Sequence, residues 1–369
     1  MATSRTPVEI VGRDGPARTG WVKTARGRFR TPCFMPVGTR GTVRAMTAQD
    51  IEELRYDVVL ANTYHLMLRP GADLIETMGG LHPFSAWEGH ILTDSGGYQV
   101  FSLQPKIDDD GVTFRSVYDG SWHRLSPEDA VRVQEQLGSD IQMVLDVCPP
   151  PDDRDVVARA VERTAAWAGR ARSAHRHPTQ AQFGIVQGGV DPALRVASAR
   201  ATVELDFDGY GIGGLSVGED RTEMLAAVEV VVPELPEDRP RYLMGVGDPI
   251  GLVEAVARGV DMFDCVLPTR LGRHGTALTA AGRLALRSAP MAADAGPIDD
   301  GCPCPVCSRW SRAFLRHLLV VDEPAAARMV SIHNLAWMKA LMERIGAAVE
   351  AGTLADLRRE VTGAWGAPR

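Results

Sequence analysis

The chain has 369 residues, 45 % of them hydrophobic, and a formal net charge of −7. That length and apolar content exclude a disordered chain and allow one large α/β barrel or two ordinary domains. No apolar core of signal-peptide length opens the sequence, no run of about 18 apolar residues suits a membrane span, and six unevenly spread cysteines do not make a disulfide framework, so a cytoplasmic protein is expected.

Up to about Pro32, Gly12, Gly15 and Gly20 space short β-prone pieces, which predicts an antiparallel appendage. From there, short apolar runs ending in polar or glycine-rich residues recur at 34–37, 58–62, 90–93, 141–145, 183–186, 209–212, 241–244 and 260–263. Stretches of helical period lie between them, at 47–54, 71–78, 126–136, 153–172, 191–204, 221–231 and 249–258. Ser126, Pro127 and Asp129 read as a helix start, with a capping hydroxyl and proline in the first turn. Eight strands alternating with helices predict an α/β fold, a (β/α)8 TIM-like barrel that with its appendage fills 1–288. A doubly wound open sheet is the alternative, but it gives no reason for polar residues after so many separate strands.

After the eighth strand come Cys302, Cys304 and Cys307, followed by His333. Three thiolates and an imidazole close a tetrahedral zinc shell with no position left for water, so one structural Zn2+ per chain is expected in a C-terminal zinc-binding insertion, 289–335. Helices at 336–369 close the barrel. Between Arg270 and Arg316 seven arginines stand against three aspartates, a local basic segment on an acidic protein and a candidate for phosphate contact.

In a barrel the strand ends converge on one face. Here they deliver Asp94, Asp146, Gln187, Gly213-Gly214, Met244 and Asp264, with Tyr98 and Gln99 just after Asp94. A lone aspartate after a strand is most often a helix cap, but three carboxylates beside an amide and glycine N–H groups are more than caps require. Crowded carboxylates shift one another's pKa values and divide acid, base and nucleophile roles. Two of them flanking a glycosidic bond suit attack at an anomeric carbon. A carboxylate can take two N–H groups from a guanine edge, an amide and a glycine N–H can donate to its O6, and Tyr98 and Met244 offer stacking faces.

The segments TDSGGYQVFSL (93–103), GIVQGG (184–189), GIGGLSVGE (211–219), YLMGVG (242–247), DMFDCVLPTRLGRHG (261–275) and the Cys3His set resemble the bacterial tRNA-guanine transglycosylases, also called queuine tRNA-ribosyltransferases. The likeness runs from about residue 8 to 360, with the motifs in the family's order. It implies replacement of guanine at anticodon position 34 of a tRNA by 7-aminomethyl-7-deazaguanine (preQ1), through a covalent aspartyl–tRNA intermediate, in queuosine biosynthesis. On that resemblance Asp264 is the nucleophile and Asp94 the general acid/base. Asp146, Gln187 and Gly214 hold the base edge, Tyr98 and Met244 stack, and Gln99 supports the pocket. Leu215 offers a backbone carbonyl to the aminomethyl group, and Arg270 and Arg273 lie near the anticodon nucleotides. A U-G-U anticodon context and a homodimer are further implications.

Val147 stands where bacterial relatives commonly carry glutamate, which removes a polar group from the pocket wall. Cys148 and the bulky Val217 favour preQ1 over the larger queuine base. As thiols, Cys148 and Cys265 read as small buried hydrophobes. His274 reads as a polar contact, and His65, His82, His90, His175, His177 and His317 as surface or core residues. A silent tRNA-binding subunit would have lost Asp94 or Asp264, and a barrel zinc hydrolase would need an open metal position at the strand ends.

Overall fold

The computed structural model of the chain describes residues 6–103, 105–150 and 153–366. The short apolar runs are buried on both faces, as a parallel sheet covered by helices requires. Nine strand segments form one parallel sheet. In spatial order they are Cys33–Met35, Met262–Asp264, Arg241–Leu243, Gly209–Ile212, Ala181–Val186, Ile141–Met143, His90–Thr93, Val58–Ala61 and Val37–Gly38. The first and last are one stretch of chain interrupted at Pro36, which has no N–H to give the ladder. Cys33–Met35 pairs with Met262–Asp264 and Val37–Gly38 with Val58–Ala61, while the Pro36 carbonyl still accepts from Leu60 N at 3.0 Å. The sheet therefore closes on itself as the expected TIM-like barrel, with one broken strand at the seam.

The helices start where their caps lie. Ser126 accepts from the Asp129 N–H, and the Asp129 carboxylate answers the Ser126 N–H, a reciprocal pair that opens Pro127–Leu137. Thr47 with Asp50 and Asp220 with Glu223 repeat the device at Ala48–Glu53 and Arg221–Val231.

The expected antiparallel appendage is the sheet Val8–Asp14, Ala17–Thr24 and Gly27–Thr31. It is sealed to the N-terminal end of the barrel by a buried fork: Arg18 Nε and Nη2 donate to the two oxygens of Asp261 at 2.8 and 2.6 Å. Asp261 also accepts from the Arg241 N–H. Removing one partner of such a pair costs about 3–5 kcal/mol, because the other charge stays buried.

Several elements go beyond the sequence reading. A three-stranded antiparallel sheet, Lys106–Asp108, Gly111–Arg115 and Trp122–Leu125, is inserted between the third barrel strand and its helix. Its strands are too short for a period of two to stand out, yet Val112, Phe114 and Leu125 all turn inward. They cover a satellite apolar cluster with Tyr64, Val100 and Trp167. Others are the hairpin Thr276–Thr279 with Gly282–Ala285 and the short helices Thr63–Leu66, Leu81–Ser85, Gly97–Phe101 and Leu267–Arg273. Helices Arg312–Val320, Pro324–Ala351 and Leu354–Trp365 follow.

Candidate active site and metal centre

The third barrel strand, His90–Thr93, ends directly at Asp94. One carboxylate oxygen accepts from the backbone N–H groups of Thr63 (2.9 Å) and Gly96 (3.1 Å). The other accepts from Gln99 Nε2 (2.9 Å) and from the Asn62 side-chain amide. Burial pushes Asp94 up to about 6 even though all four donors favour the charged form. A carboxyl held there exchanges its proton near neutral pH.

Asp146, three residues beyond Ile141–Met143, is 6 % exposed and also pushed up to about 6, mainly by burial and further by the charge of Asp94. Its Oδ2 accepts from Gln187 Nε2 at 2.5 Å. Gln187 follows Ala181–Val186, and its own N–H donates to Ser198 Oγ. Gly214, at φ +65°, passes so close to Gln187 Oε1 that any side chain would overlap it. The loops bearing Gln187 and Gly214 are tied together by Arg195, which is fully buried. It donates to the carbonyls of Gly189 (2.6 Å), Val186 (3.1 Å), Gly213 (2.7 Å) and Gly214 (3.1 Å).

Asp264 closes the eighth strand. Its Oδ1 accepts from the Tyr242 hydroxyl at 2.6 Å and the Gly245 N–H at 2.8 Å, and burial raises its pKa. Among the described residues no donor falls on Oδ2. Burial, and then the charges of Asp264 and Asp94, push the Tyr242 phenol well above its usual range, so it is a donor at any ordinary pH. Strand ends three and four thus bring Asp94 and Asp146 within electrostatic reach of each other, and Tyr242 feels the charges of both Asp94 and Asp264.

A second constellation lies beyond the eighth strand. His333 Nδ1 is 3.8, 3.6 and 3.2 Å from the sulfurs of Cys302, Cys304 and Cys307. All four ligand atoms lie within 4.8 Å of one another, and the cluster could hold one metal ion. Bond lengths around tetrahedral zinc require a sulfur–nitrogen separation of about 3.6 Å, which the three distances bracket. His333 Nε2 lies 2.8 Å from the Leu278 carbonyl. Donation to that carbonyl leaves Nδ1 bare toward the sulfurs, the outer hydrogen bond that metal-binding histidines need. The donor set fits a closed, soft metal site.

The family model described as queuine tRNA-ribosyltransferase matches residues 14–367. The chain belongs to the queuine tRNA-ribosyltransferase family. Among curated relatives of that name, the Symbiobacterium thermophilum protein is 53 % identical over 363 residues, 97 % of this chain and 91 % of the relative. The Novosphingobium aromaticivorans protein is 50 % identical over 369 residues, 97 % and 99 % of the two chains. The family is one of pentosyl-transferring enzymes, tRNA-guanine transglycosylases.

Against the residues that the family resemblance singled out, the structure brings Asp94, Gln99, Asp146, Gln187, Gly214 and Asp264 to one face. The Met244 sulfur lies beneath Gly211 and Gly213 at the same mouth. Tyr98 stands 61 % exposed on Gly97–Phe101, with no ring contact among the described residues. The Leu215 side chain is core, so only its backbone is free for recognition. Arg270 and Arg273 lie on Leu267–Arg273, the helix that follows Asp264. Burial drives the Cys148 and Cys265 thiols up to about 12 and about 11, which removes both as nucleophiles. Val147 packs into the satellite cluster, so the residue that departs from the bacterial pattern is part of a core.

Sequence reasoning missed Asn62, Tyr242 and Arg195. Asn62 and Tyr242 sit inside strands or motifs already recognised, and only their side-chain partners reveal a role. His65, read as surface or core, lies at the barrel mouth, its Nδ1 2.9 Å from the Tyr118 hydroxyl. Glu219 accepts from the N–H groups of Ser216 and Val217, another role that only the folded loop reveals.

Proposed function

We propose that this enzyme, whose family modifies tRNA guanine in the queuosine pathway, exchanges guanine 34 for preQ1 by double displacement at C1′. The observation that carries the reading is the pairing of a doubly braced Asp264 carboxylate, one oxygen free of donors, with an Asp94 carboxyl held near neutrality. Asp264 attacks C1′ as the C1′–N9 bond breaks, the bonding electrons stay with guanine, and Asp94 gives guanine its proton. Incoming preQ1 then loses its N9 proton to Asp94 and attacks C1′, expelling Asp264. Two inversions at one carbon leave net retention.

Asp146 takes the N1–H and 2-amino edge, while Gln187 and the Gly214 N–H serve O6. Tyr98 and Met244 cover the faces, and Gln99 steadies Asp94. Because Glu219 holds the Ser216 N–H, the trans peptide turns the Leu215 carbonyl the opposite way, where an aminomethyl group can meet it. Val217 and Cys148 support preQ1 over queuine.

The metal is zinc, held by Cys302, Cys304, Cys307 and His333 in a structural role, and a closed shell of that kind supplies cross-linking and no chemistry. Arg270 and Arg273 contact tRNA around a U-G-U anticodon. Six unpaired cysteines support the cytoplasm, and exposed Leu74, Met78 and Phe84 on neighbouring helices support a homodimer. Among the described residues no helix is long and apolar enough to cross a membrane. The chain divides into the barrel with its appendage (1–288), the metal-binding insertion (289–335) and closing helices (336–369), with Pro324–Ala351 continuous across the second boundary.

The test is to incubate the protein with labelled guanine and tRNA and then add preQ1. Label should enter the RNA and be chased out, with a covalent protein–RNA adduct on a denaturing gel. No incorporation would overturn the reading.

A further inference from the structure

Positive charge at the barrel mouth lies on one side. Arg40 and Arg69, on the segments after the first and second barrel strands, both face the ring of Tyr118. Their guanidinium carbons are 5.5 and 4.7 Å from its centroid. Tyr118 comes from the turn between Gly111–Arg115 and Trp122–Leu125 and touches His65, which lies one helical turn after Asn62, a donor to Asp94. Both arginines are exposed, and among the described residues no carboxylate pairs with either. Two unneutralised guanidinium groups gathered on one ring repel each other, and cation–π attraction at an exposed site offsets this only in part. An anion bound beside them relieves it.

The same side carries three more arginines. Arg44 shares the first-strand loop with Arg40, and its charge and that of Arg270 add to burial in lowering the Arg273 pKa, so the three lie within electrostatic reach. None of them has a carboxylate partner among the described residues. The five arginines trace an arc over strand ends eight, one and two, which are neighbours in the closed sheet. Asp146, Gln187 and Gly214 sit across the barrel on strand ends four to six. The pocket's three carboxylates repel a polyanion, so a nucleotide can enter only where the rim compensates. A backbone running along the arc would point its extruded base across the mouth toward the base-reading groups.

We propose that Arg40 and Arg69, braced by Tyr118, form a second phosphate clamp that grips the RNA backbone beside the exchanged nucleotide, continuing along the rim from Arg270 and Arg273. This rests on the base-exchange reading. Guanidinium groups laid against a ring keep their N–H edges free for two-point contact with phosphate oxygens, which a free lysine could not match.

The experiment measures binding of an anticodon stem-loop RNA carrying U-G-U across a series of salt concentrations, for wild type, R40Q/R69Q and R40K/R69K. Guanine binding and thermal melting show that each variant is folded. Each lost single-strand phosphate contact makes the slope of log affinity against log salt shallower by about 0.7, so R40Q/R69Q should lose about 1.4 and bind about 25-fold more weakly at about 0.1 M salt. The lysine pair should restore the slope. A folded R40Q/R69Q with the wild-type slope sinks the clamp, whatever its affinity, and leaves base exchange standing if the wild type still incorporates guanine. Wild-type protein that binds no stem-loop sinks both.

Discussion

Asp264 is held by acceptor bonds on a single oxygen, and an amide can keep both of them. Asp264→Asn should therefore fold and bind tRNA, while base exchange falls by roughly 10^4-fold or more and the covalent adduct disappears. Undiminished turnover would remove Asp264 as nucleophile. Asp94 and Asp146 carry a pH signature of their own. Both are pushed up to about 6 from an ordinary 3.8, so between those values the folded chain holds more protons than the unfolded one. Each contributes stability that is fully present below about pH 4 and lost as pH rises through about 6. Asp146→Asn never has to bury a charge. In urea titrations it should gain on wild type across that window, by up to about 3 kcal/mol, then run parallel above it. A constant difference from pH 4 to pH 7 would show that Asp146 is not buried as described.

At the scale of elements, the pocket is made by loops that would be floppy alone. Gly214 adopts φ +65° and leaves no room for a Cβ beside Gln187, while Arg195 pins the carbonyls on both sides. Gly214→Ala should cost about 1–2 kcal/mol for the left-handed backbone and displace Gln187 as well. Guanine affinity should then fall more than stability does, as read by calorimetry beside a urea melt. Equal guanine affinity in a folded variant would show that the Gln187 position is irrelevant to the base. The broken first strand follows the same logic: Pro36 removes one ladder donor where the sheet closes, and the segments on either side each pair with a different neighbour.

Across the whole molecule, the metal cluster and the arginine-bearing helix are mechanically joined. His333 and Asn334 are adjacent on Pro324–Ala351. Asn334 donates to the Pro268 and Thr276 carbonyls and accepts from the Leu278 N–H, while His333 meets the Leu278 carbonyl. Gly272 lets Leu267–Arg273 approach the Ser331 backbone, where a Cβ would lie 2.8 Å from its nitrogen. Chelating the metal, or Cys304→Ser, should lower the melting temperature by several degrees and weaken tRNA binding by loosening Arg270 and Arg273. Guanine binding to the barrel should change little. Full thermal stability and full RNA affinity without metal would show the cluster to be incidental.

Strand order, helix starts, the Cys3His set and the strand-end aspartates were legible in the chain itself, because burial, capping and ligand spacing act over a few residues. The family motifs added roles to those positions. Three things required the fold. Which oxygen of Asp264 is braced depends on Tyr242, a neighbour across the sheet with no local signal. The pKa values of about 6 at Asp94 and Asp146 arise from burial by elements far away in sequence. Arg40, Arg69 and Tyr118 come from three separate segments and meet only because strands one and two are adjacent and the inserted sheet folds over them. Local order is written residue by residue, whereas the electrostatics of the site are decided by which surfaces the closed barrel removes from water.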